Sequence, residues 1–492
     1  MAGERDNNEN INIIKDTDQV KDGQVKCPKC GSTDISTNTK TGKLRCNFCR
    51  HEFDPELAEE DADISSLQGN YLGTGAADID SNADDIITLK CESCGAEVVI
   101  DTATSTQARC HWCRNTLSIN SKIDNGAVPD VILPFAVTKN EAKEEIENFV
   151  GQRKTFAHPQ FIKEFNAENI CGVYFPYMLV DINGHMKLSG KGEILTDTRT
   201  VKDGDNEKTV YDADLYRVGR DFDISIDDLS IESSMDKLDY SSKEKTTNII
   251  NSIMPFDTEN CVKYNANYLK GYTSEKRDTN VSDLKKITDV WGSDVARFAI
   301  KDTIEEYDRG VNWEEEEFIV KGDSWKASYL PVWLYSYMEN KGDKHVLHYV
   351  AVNARTKETM GSVPINFKKL FMASALVEVI SFLIALVLWF VAAFDIFDDT
   401  KFQDSKDFFW LLLVAGFIYY YNVYSKYRNQ DARHSYEVES KHEVTNLISL
   451  DEFIRHEYGL ENYCIDGENS CEIKGNKIKF NKEGCDHGDE KV

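Results

Sequence analysis

Residues 27–49 read CPKCGSTDISTNTKTGKLRCNFC, and residues 91–113 read CESCGAEVVIDTATSTQARCHWC. Each is Cys-x2-Cys-x15-Cys-x2-Cys, so one spacing occurs twice, with Cys27, Cys30, Cys46 and Cys49 in the first copy and Cys91, Cys94, Cys110 and Cys113 in the second. A two-residue gap lets both thiolates of a pair reach one ion, and Gly31 and Gly95 let the backbone turn behind it. Two such knuckles on neighbouring hairpins close a tetrahedral sulfur cage, with bonds of about 2.3 Å if the metal is zinc. Four thiolates leave no open position. The expectation is two structural Zn(II) ions, one in each of two small β ribbons (25–52 and 89–118), with iron in the same all-cysteine cage as the rival. His51 and His111 adjoin the cages and are expected on the ribbon surfaces, because each cage already has four sulfurs.

The chain has 492 residues, room for about three or four domains. Hydrophobic residues make up 41% and charged residues 29%, enough apolar content for packed cores. Lys and Arg number 57 against 85 Asp and Glu, a formal charge of −28 that repels phosphate backbones and argues against general nucleic-acid coating while leaving room for a small local patch. The thirteen cysteines are an odd total, with Cys171, Cys261, Cys464, Cys471 and Cys485 outside the repeated pattern. That fits a reducing compartment better than a disulfide framework. The opening MAGERDNNENINIIKD holds no apolar h-region, so no cleaved secretory signal is expected, and residues 1–24 read as a disordered N-terminus. From Lys21 to Asp54 seven basic residues face four acidic, a local +3, whereas Lys90 to Ser118 balances three against three. Glu52 to Leu89 holds eleven Asp or Glu and no Lys or Arg, so 53–88 reads as a flexible acidic linker. With no basic stripe, and only Phe48 and Trp112 as stacking aromatics, the ribbons point to protein partners over nucleic acid.

Leu370 to Phe394 (LFMASALVEVISFLIALVLWFVAAF) is a 25-residue apolar run with Glu378 as its one charge. Phe408 to Tyr424 (FFWLLLVAGFIYYYNVY) is a 17-residue run with none. At 1.5 Å per residue the shorter run spans about 25 Å, a short bilayer crossing. Phe408, Phe409 and Trp410 at one end and Tyr419, Tyr420, Tyr421 and Tyr424 at the other fit interfacial belts. Arg355, Lys357, Lys368 and Lys369 precede the first run, and Lys426, Arg428, Arg433 and Lys441 follow the second, while Asp395–Asp407 between them has two Lys and five Asp. The positive-inside rule then predicts a cell-membrane protein with two spans, 370–394 and 408–424, both termini cytoplasmic and 425–492 a cytosolic tail. Glu378, near the cytosolic end, is expected to reach headgroup water rather than form an ion site.

Residues 129–365 form the largest soluble block and hold a faint internal repeat. Leu133-Pro134-Phe135 recurs as Met254-Pro255-Phe256, and Tyr174-Phe175-Pro176-Tyr177-Met178-Leu179 as Tyr329-Leu330-Pro331-Val332-Trp333-Leu334. TKNEAKEEIENFVGQR after the first LPF reads as a helix, and the stretches after each Tyr-x-Pro read as strands with turns at Asn183-Gly184 and Asn353-Ala354. Pro176 and Pro331 are expected to open edge strands, and the Asp- and Ser-rich 196–250 to be an insertion. The block therefore reads as an α+β domain of two related halves. Gly190-Lys191-Gly192 does not complete a phosphate loop, no Gly-x-Ser-x-Gly occurs, and the His-Glu pairs at His51, His442 and His456 extend to no metalloprotease motif. The aromatics Trp325, Tyr329, Trp333, Tyr335 and Tyr337 could line a ligand groove but read first as core together with the interface to the bilayer. Cys464, Cys471, Cys485 and His487 match no knuckle spacing.

CPKCG…CNFC and CESCG…CHWC resemble transcription-factor-IIB-type zinc ribbons. The layout of residues 25–425 is similar to a family of uncharacterised bacterial membrane proteins that carry such ribbons. The marks are LPFAVTKNEAKEEIENFV (133–150), GVYFPYMLVD (172–181), MPFDTENCVKYNANYLKGY (254–272) and YLPVWLY (329–335). Some members are labelled primosomal protein N-prime-like, a label not carried over here, since the chain has no phosphate loop or helicase motor. The resemblance implies an architecture and no activity. The reading is a multidomain, non-enzymatic, cytosol-facing membrane protein acting as a protein-binding adaptor or regulatory scaffold. The alternative is a membrane-tethered nucleic-acid-binding regulator using the first ribbon.

Overall fold

The computed structural model describes residues 11–13 and most of 27–481. Outside the described residues lie 1–10, 14–26, 59–62, 77–85, 92–95, 102–106, 119–121, 124–128, 235–252, 394–411, 429–435, 461–469, 482–492 and a few shorter breaks. In chain order, β1 (Ile11–Ile13) precedes a three-stranded ribbon, β2 (Ile35–Thr37), β3 (Leu44–Cys46) and β4 (Glu52–Phe53), and then β5 (Gly69–Leu72). The second ribbon comprises β6 (Ile86–Lys90), β7 (Glu97–Asp101), β8 (Gln107–Arg109), β9 (Thr116–Ser118) and β10 (Lys122–Ile123). The central block opens with β11 (Val131–Ile132), α1 (Lys139–Gly151), α2 (Pro159–Glu164), β12 (Cys171–Asp203) and β13 (Asn206–Glu232). It continues with β14 (Val262–Lys263), β15 (Thr273–Ser274), α3 (Val281–Ala299), β16 (Val311–Lys341), β17 (Lys344–Asn353) and β18 (Thr359–Gly361). After it come α4 (Phe367–Ala393), α5 (Ala415–Tyr427), α6 (Tyr436–Glu439), β19 (Lys441–Leu460) and a hairpin, β20 (Ser470–Lys474) and β21 (Lys477–Asn481).

The organising unit is the antiparallel pair β12–β16. Phe175 lies opposite Leu330, Tyr174 opposite Pro331 and Pro176 opposite Tyr329, so the two Tyr-x-Pro motifs face each other reciprocally about a local two-fold. The flanking elements obey the same two-fold. β11 runs parallel to β16 at Ser328 and Tyr329, and β15 runs parallel to β12 at Val173 and Tyr174. Ile132 to Lys139 and Ser274 to Val281 are the same step from short strand to helix; α1 begins with a capping box of Thr138 and Glu141, and at the matching place in α3 the Asn280 N–H donates to Asp283 Oδ2. Side chains alternate across the pair. Tyr174, Tyr329 and Trp333 share one apolar cluster with α1, and Met178, Val180 and Ala327 share another with α3, further along the same face. Phe175, Tyr177, Leu330 and Val332 point to the opposite face. The expected LPF/MPF repeat is not part of this symmetry, because the position equivalent to Leu133 is Glu275.

Both prolines lie inside long strands rather than opening edges. Pro176 stands between the last residue paired to β15 (Tyr174) and the first paired to β13 (Tyr177), and Pro331 between the last paired to β11 (Tyr329) and the first paired to β17 (Val332). Their carbonyls accept from Ser233 and Ala354, so the missing N–H would point to that same outer side, at a seam between neighbours, where it costs no ladder bond. Asn183-Gly184 makes no turn. Asn183 is buried in β12, and its amide donates to the carbonyls of Ser65 (2.9 Å) and Leu67 (3.0 Å). The Asn353-Ala354 turn between β17 and β18 is present. The expected insertion is, over 206–232, the return strand β13, which pairs with β12 from Tyr177 to Asp203. The expected tail contributes β19, which pairs with β13 from Tyr211 to Asp227. Cys464 and Cys485 fall outside the described residues.

The acidic segment is not a free linker over its middle. Its charges sit at 52–63 and 78–85, and Ile64 to Ala77 carries none. That uncharged island docks: β5 runs parallel to β16 at Gly322–Trp325, Gly73 N–H donates to Trp325 O, and the guanidinium of buried Arg277 donates to the carbonyls of Gly75 and Ala76. β1 pairs with β5 in turn, so Ile11–Ile13 is ordered where a disordered N-terminus was expected.

Among the described residues α4 is the one helix long and apolar enough to cross a membrane; Phe367–Phe390 has a mean hydropathy of 2.5. Of the second expected span, residues 408–411 lie outside the described set, and the described helix α5 begins at Ala415. α5 packs on α4 where Gly416 meets Ser374; a Cβ there would stand 2.7 Å from the Ser374 carbonyl oxygen. Glu378 does not reach outward. Its Oε2 accepts the Gly416 N–H at 2.8 Å, so the carboxylate satisfies an otherwise orphaned donor in the first turn of α5.

A Cβ on Gly322 would lie 2.5 Å from the Leu67 carbonyl carbon and 2.7 Å from the Gln68 nitrogen. Gly322→Val should therefore push residues 64–72 off the sheet and destabilise the protein by about 1–3 kcal/mol. Limited proteolysis should show new cleavage between Glu52 and Leu89, and an unchanged digestion pattern would contradict the docking.

Candidate metal centres

In the first ribbon β3 ends at Cys46, so strand pairing with β2 and β4 fixes the knuckle that follows. Each turn is closed by backbone bonds: Gly31 N–H to Cys27 O (2.8 Å) and Arg50 N–H to Cys46 O (2.9 Å), with Gly31 (φ 72) and Arg50 (φ 58) in the left-handed region. Cys27 Sγ lies 3.5 Å from Cys49 Sγ and Cys30 Sγ 3.6 Å from Cys46 Sγ, and all four sulfurs fall within 4.8 Å of one another. Tetrahedral zinc with bonds near 2.3 Å needs sulfur separations of about 3.8 Å, so this cage fits a metal ion with little movement. The Cys49 N–H aimed at Cys46 Sγ (3.5 Å) is the chief cause that holds the Cys46 thiol down to about 6, the thiolate form a metal requires.

The second centre brings Cys91, Cys110 and Cys113 together, with Cys91 and Cys113 sulfurs 3.3 Å apart; Cys94 lies outside the described residues. Its knuckle has the same architecture, Arg114 N–H to Cys110 O at 2.7 Å with Arg114 at φ 65. Two cysteine groups able to hold a metal ion are thus present, one with four described ligands and one with three.

The two cages differ in what surrounds them. The first knuckle displays Asn47 and Phe48 outward, and Phe48 is 81% exposed, the most exposed large apolar side chain among the described residues. The second knuckle turns His111 and Trp112 inward. His111 is fully buried, against the expectation of a surface residue, and both His111 Nε2 and Trp112 Nε1 meet Glu275 Oε1. Ser336 donates to the His111 carbonyl, Trp112 packs edge-on against Phe175 and Tyr349, and the Arg114 guanidinium stands 4.2 Å over Tyr335. Val99 of β7 pairs with Ser274 of β15, one residue before Glu275. The second ribbon is stitched into the central sheet. His51, by contrast, is half-exposed and stacks on Phe53.

Sequence reading missed Glu275. The signal was present in the residues between the cysteines of CHWC: two ring N–H donors there demand a buried acceptor, whereas the Asn-Phe of CNFC can face water. Two further polar groups were also missed. Glu339, His348 and Ser362 form a hydrogen-bonded chain (Nε2 to Oε2 3.1 Å, Nδ1 to Oγ 2.9 Å) that ties β16, β17 and the end of β18 together. The serine is only 3% exposed, so the chain is set as a buried strut. Asp181 opposes both Asp227 and Asp228 in a β-bulge between Val180 and Ile182, and its Oδ1 accepts the Asp228 N–H at 3.0 Å. The aromatics Trp325, Tyr329, Trp333, Tyr335 and Tyr337 are buried, as expected of core.

No protein-family profile, curated protein or solved structure matches this chain.

Glu275→Ala would strip the acceptor from buried His111 and half-buried Trp112, a loss of about 1–3 kcal/mol. Hydrogen exchange should speed up in Glu97–Asp101 and Cys110–Arg114 while the first ribbon keeps its protection; equal protection in wild type and variant would remove Glu275 from this role. A second expectation concerns pH. Burial, with the Asp228 charge adding to it, pushes the Asp181 carboxyl up to about 8. The folded protein then holds a proton that the unfolded chain releases near pH 4, so this group's stabilisation is full below about pH 4 and is lost as pH rises towards 8. Asp181→Asn keeps the acceptor and should raise stability by roughly 1–3 kcal/mol at pH 8.5 and hardly at pH 5. Denaturant melts at the two pH values check it.

Proposed function

We propose that this chain is a cell-membrane protein of two spans that acts as a non-enzymatic binding scaffold, with its soluble parts on the cytosolic side and two structural Zn(II) ions. The observation that carries the reading is the pairing of β13, which precedes the apolar helix, with β19, which follows it. Strands of one sheet must lie on one side of a bilayer, so a chain that leaves through α4 has to come back. α5 supports the return: its last residues meet the domain that α4 leaves, with Val363 N–H donating to Tyr427 O and Phe156 N–H to the Tyr427 hydroxyl. A cytosolic assignment rests on the reduced thiols the cages need and on the basic flanks of the apolar runs.

Zinc is favoured by the closed, all-sulfur donor set and the knuckle geometry. The scaffold role draws on the absence from the sequence of a catalytic motif and on the exposed Phe48 at the tip of the first ribbon. The same tip sustains the rival reading. Lys29, Arg45 and Arg50 are exposed around Phe48, a small cationic and aromatic surface of the kind that binds single-stranded nucleic acid. Resemblance to ribbon-bearing bacterial membrane proteins agrees with the order of parts in either case.

Three measurements on the full chain test the proposal. Metal analysis should return two zinc per chain, falling to one in Cys46→Ser. An impermeant maleimide applied to intact cells should label Ser405→Cys and not Ser449→Cys; labelling of Ser449→Cys would overturn the topology. Oligonucleotide binding in detergent should be negligible, whereas affinity falling with a log–log salt slope of about −2 to −3 and lost in Phe48→Ala would favour the rival.

A further inference from the structure

We propose that the base of the α4–α5 pair is a binding surface for the phosphate groups of anionic phospholipids, an inference that rests on the membrane reading above. Three segments far apart in sequence meet there. The Arg153 guanidinium, on a buried side chain, donates to the Lys426 carbonyl at 2.8 Å, and the Phe156 N–H donates to the Tyr427 hydroxyl at 2.8 Å. Lys369 Nζ donates to the Thr155 carbonyl at 2.7 Å. The turn after α1 is thus wedged between the first turn of α4 and the last turn of α5.

This wedge gathers charge of one sign. Residues 151–158, 365–377 and 418–428 contain no Asp or Glu, in a chain with a formal charge of −28. Lys154, Lys368, Lys369, Lys426 and Arg428 are all exposed, and among the described residues none of the five forms an ion pair. Elsewhere on the surface cations are matched by acids, as Lys143 is by Glu168, Lys191 by Glu314, Lys357 by Glu141 and Arg355 by Asp257. Two of the five are steered by aromatic neighbours. Lys369 Nζ lies 5.8 Å from the Phe156 ring and Arg428 5.7 Å from the Tyr424 ring, with its NH1 3.2 Å from the Tyr424 hydroxyl.

The occupant follows from what lies beside the cations. Phe371 and Met372, two and three residues after Lys369 in α4, are 68% and 69% exposed, and Phe417 of α5 is 72% exposed. Cations and tyrosines that border an apolar sleeve match a headgroup layer above acyl chains. A soluble phosphate would use the cations and leave the sleeve uncovered. Lipid phosphate satisfies both, and a net negative headgroup is preferred over a zwitterionic one by charge alone.

The test uses the full-length protein in vesicles of phosphatidylcholine doped with spin-labelled phosphatidylglycerol or spin-labelled phosphatidylcholine. Carbonate washing is done first. Loss of the protein from washed vesicles overturns the membrane reading and this inference with it. For retained protein, boundary-lipid spectra should show phosphatidylglycerol preferred by roughly fivefold or more, since each basic residue at the surface contributes about that factor. The preference should fall towards one in high salt and in the variant carrying Lys154→Gln, Lys368→Gln, Lys369→Gln, Lys426→Gln and Arg428→Gln, which should still resist carbonate. An inserted wild type with no preference, or a variant that keeps it, overturns this inference alone. Inorganic phosphate should compete no better than chloride at equal ionic strength; specific competition would mark a free-phosphate site instead.

Discussion

The antiparallel pairing of β12 with β16 about Phe175 and Leu330 is the constraint from which the other placements follow. An antiparallel pair with alternating side chains offers two faces of fixed composition and two outer edges, and each surrounding element takes one of them. β11 and β15 take the edges near the two-fold, and α1 and α3 cover one face on either side of it. Past the prolines the edges pass to β13 and β17. At ~3.3 Å per residue, β12 alone is a path of about 110 Å, far more than a domain of this core needs. The surplus forms an arm in which β13 continues beside β12 and β19 beside β13.

The two cysteine cages are alike in spacing and unlike in attachment. In the first, Cys27, Ile35, Leu44 and Cys46 join the apolar cluster that also holds Phe149, Leu370 and Tyr427, so the ribbon leans on the domain through its apolar side and shows the knuckle tip to solvent. In the second, strand pairing and the Glu275 acceptor commit the knuckle itself to the opposite face of the sheet. A metal bound in the first cage would shape a projecting tip, and one bound in the second would hold together backbone that the central sheet needs.

Legibility tracked how local the physics was. The cysteine spacing, the helix-forming stretch of α1, the long apolar run of α4 and the buried aromatics of β16 were readable because each depends on neighbours in sequence. The Tyr-x-Pro repeat was visible, but its meaning was not, because reciprocal pairing between Tyr174 and Pro331 exists only across 157 residues of chain. Charge counting over 53–88 averaged away the uncharged island that docks. Asn183-Gly184 carries a turn signal that the buried contacts of the Asn183 amide override. Glu378 looked solitary because its partner, a backbone N–H, has no sequence signature.

The position of β19 has a consequence for how the protein is made. β13 and β19 are neighbours in the sheet, yet Glu232 and Lys441 are separated in the chain by half the central block and by α4 and α5. During synthesis β13 emerges first and offers a long bare edge along the arm, with Lys208, Arg217 and Arg220 interrupting its apolar residues. That edge stays open until the ribosome has delivered both apolar segments and the 441–460 strand behind them. If α4 and α5 cross a membrane as proposed above, closure of the sheet reports on the helices: a chain whose α5 stayed on the far side would carry its last strand to the wrong compartment. It would leave β13 uncovered, a flaw that a quality-control protease or chaperone could read without touching the membrane.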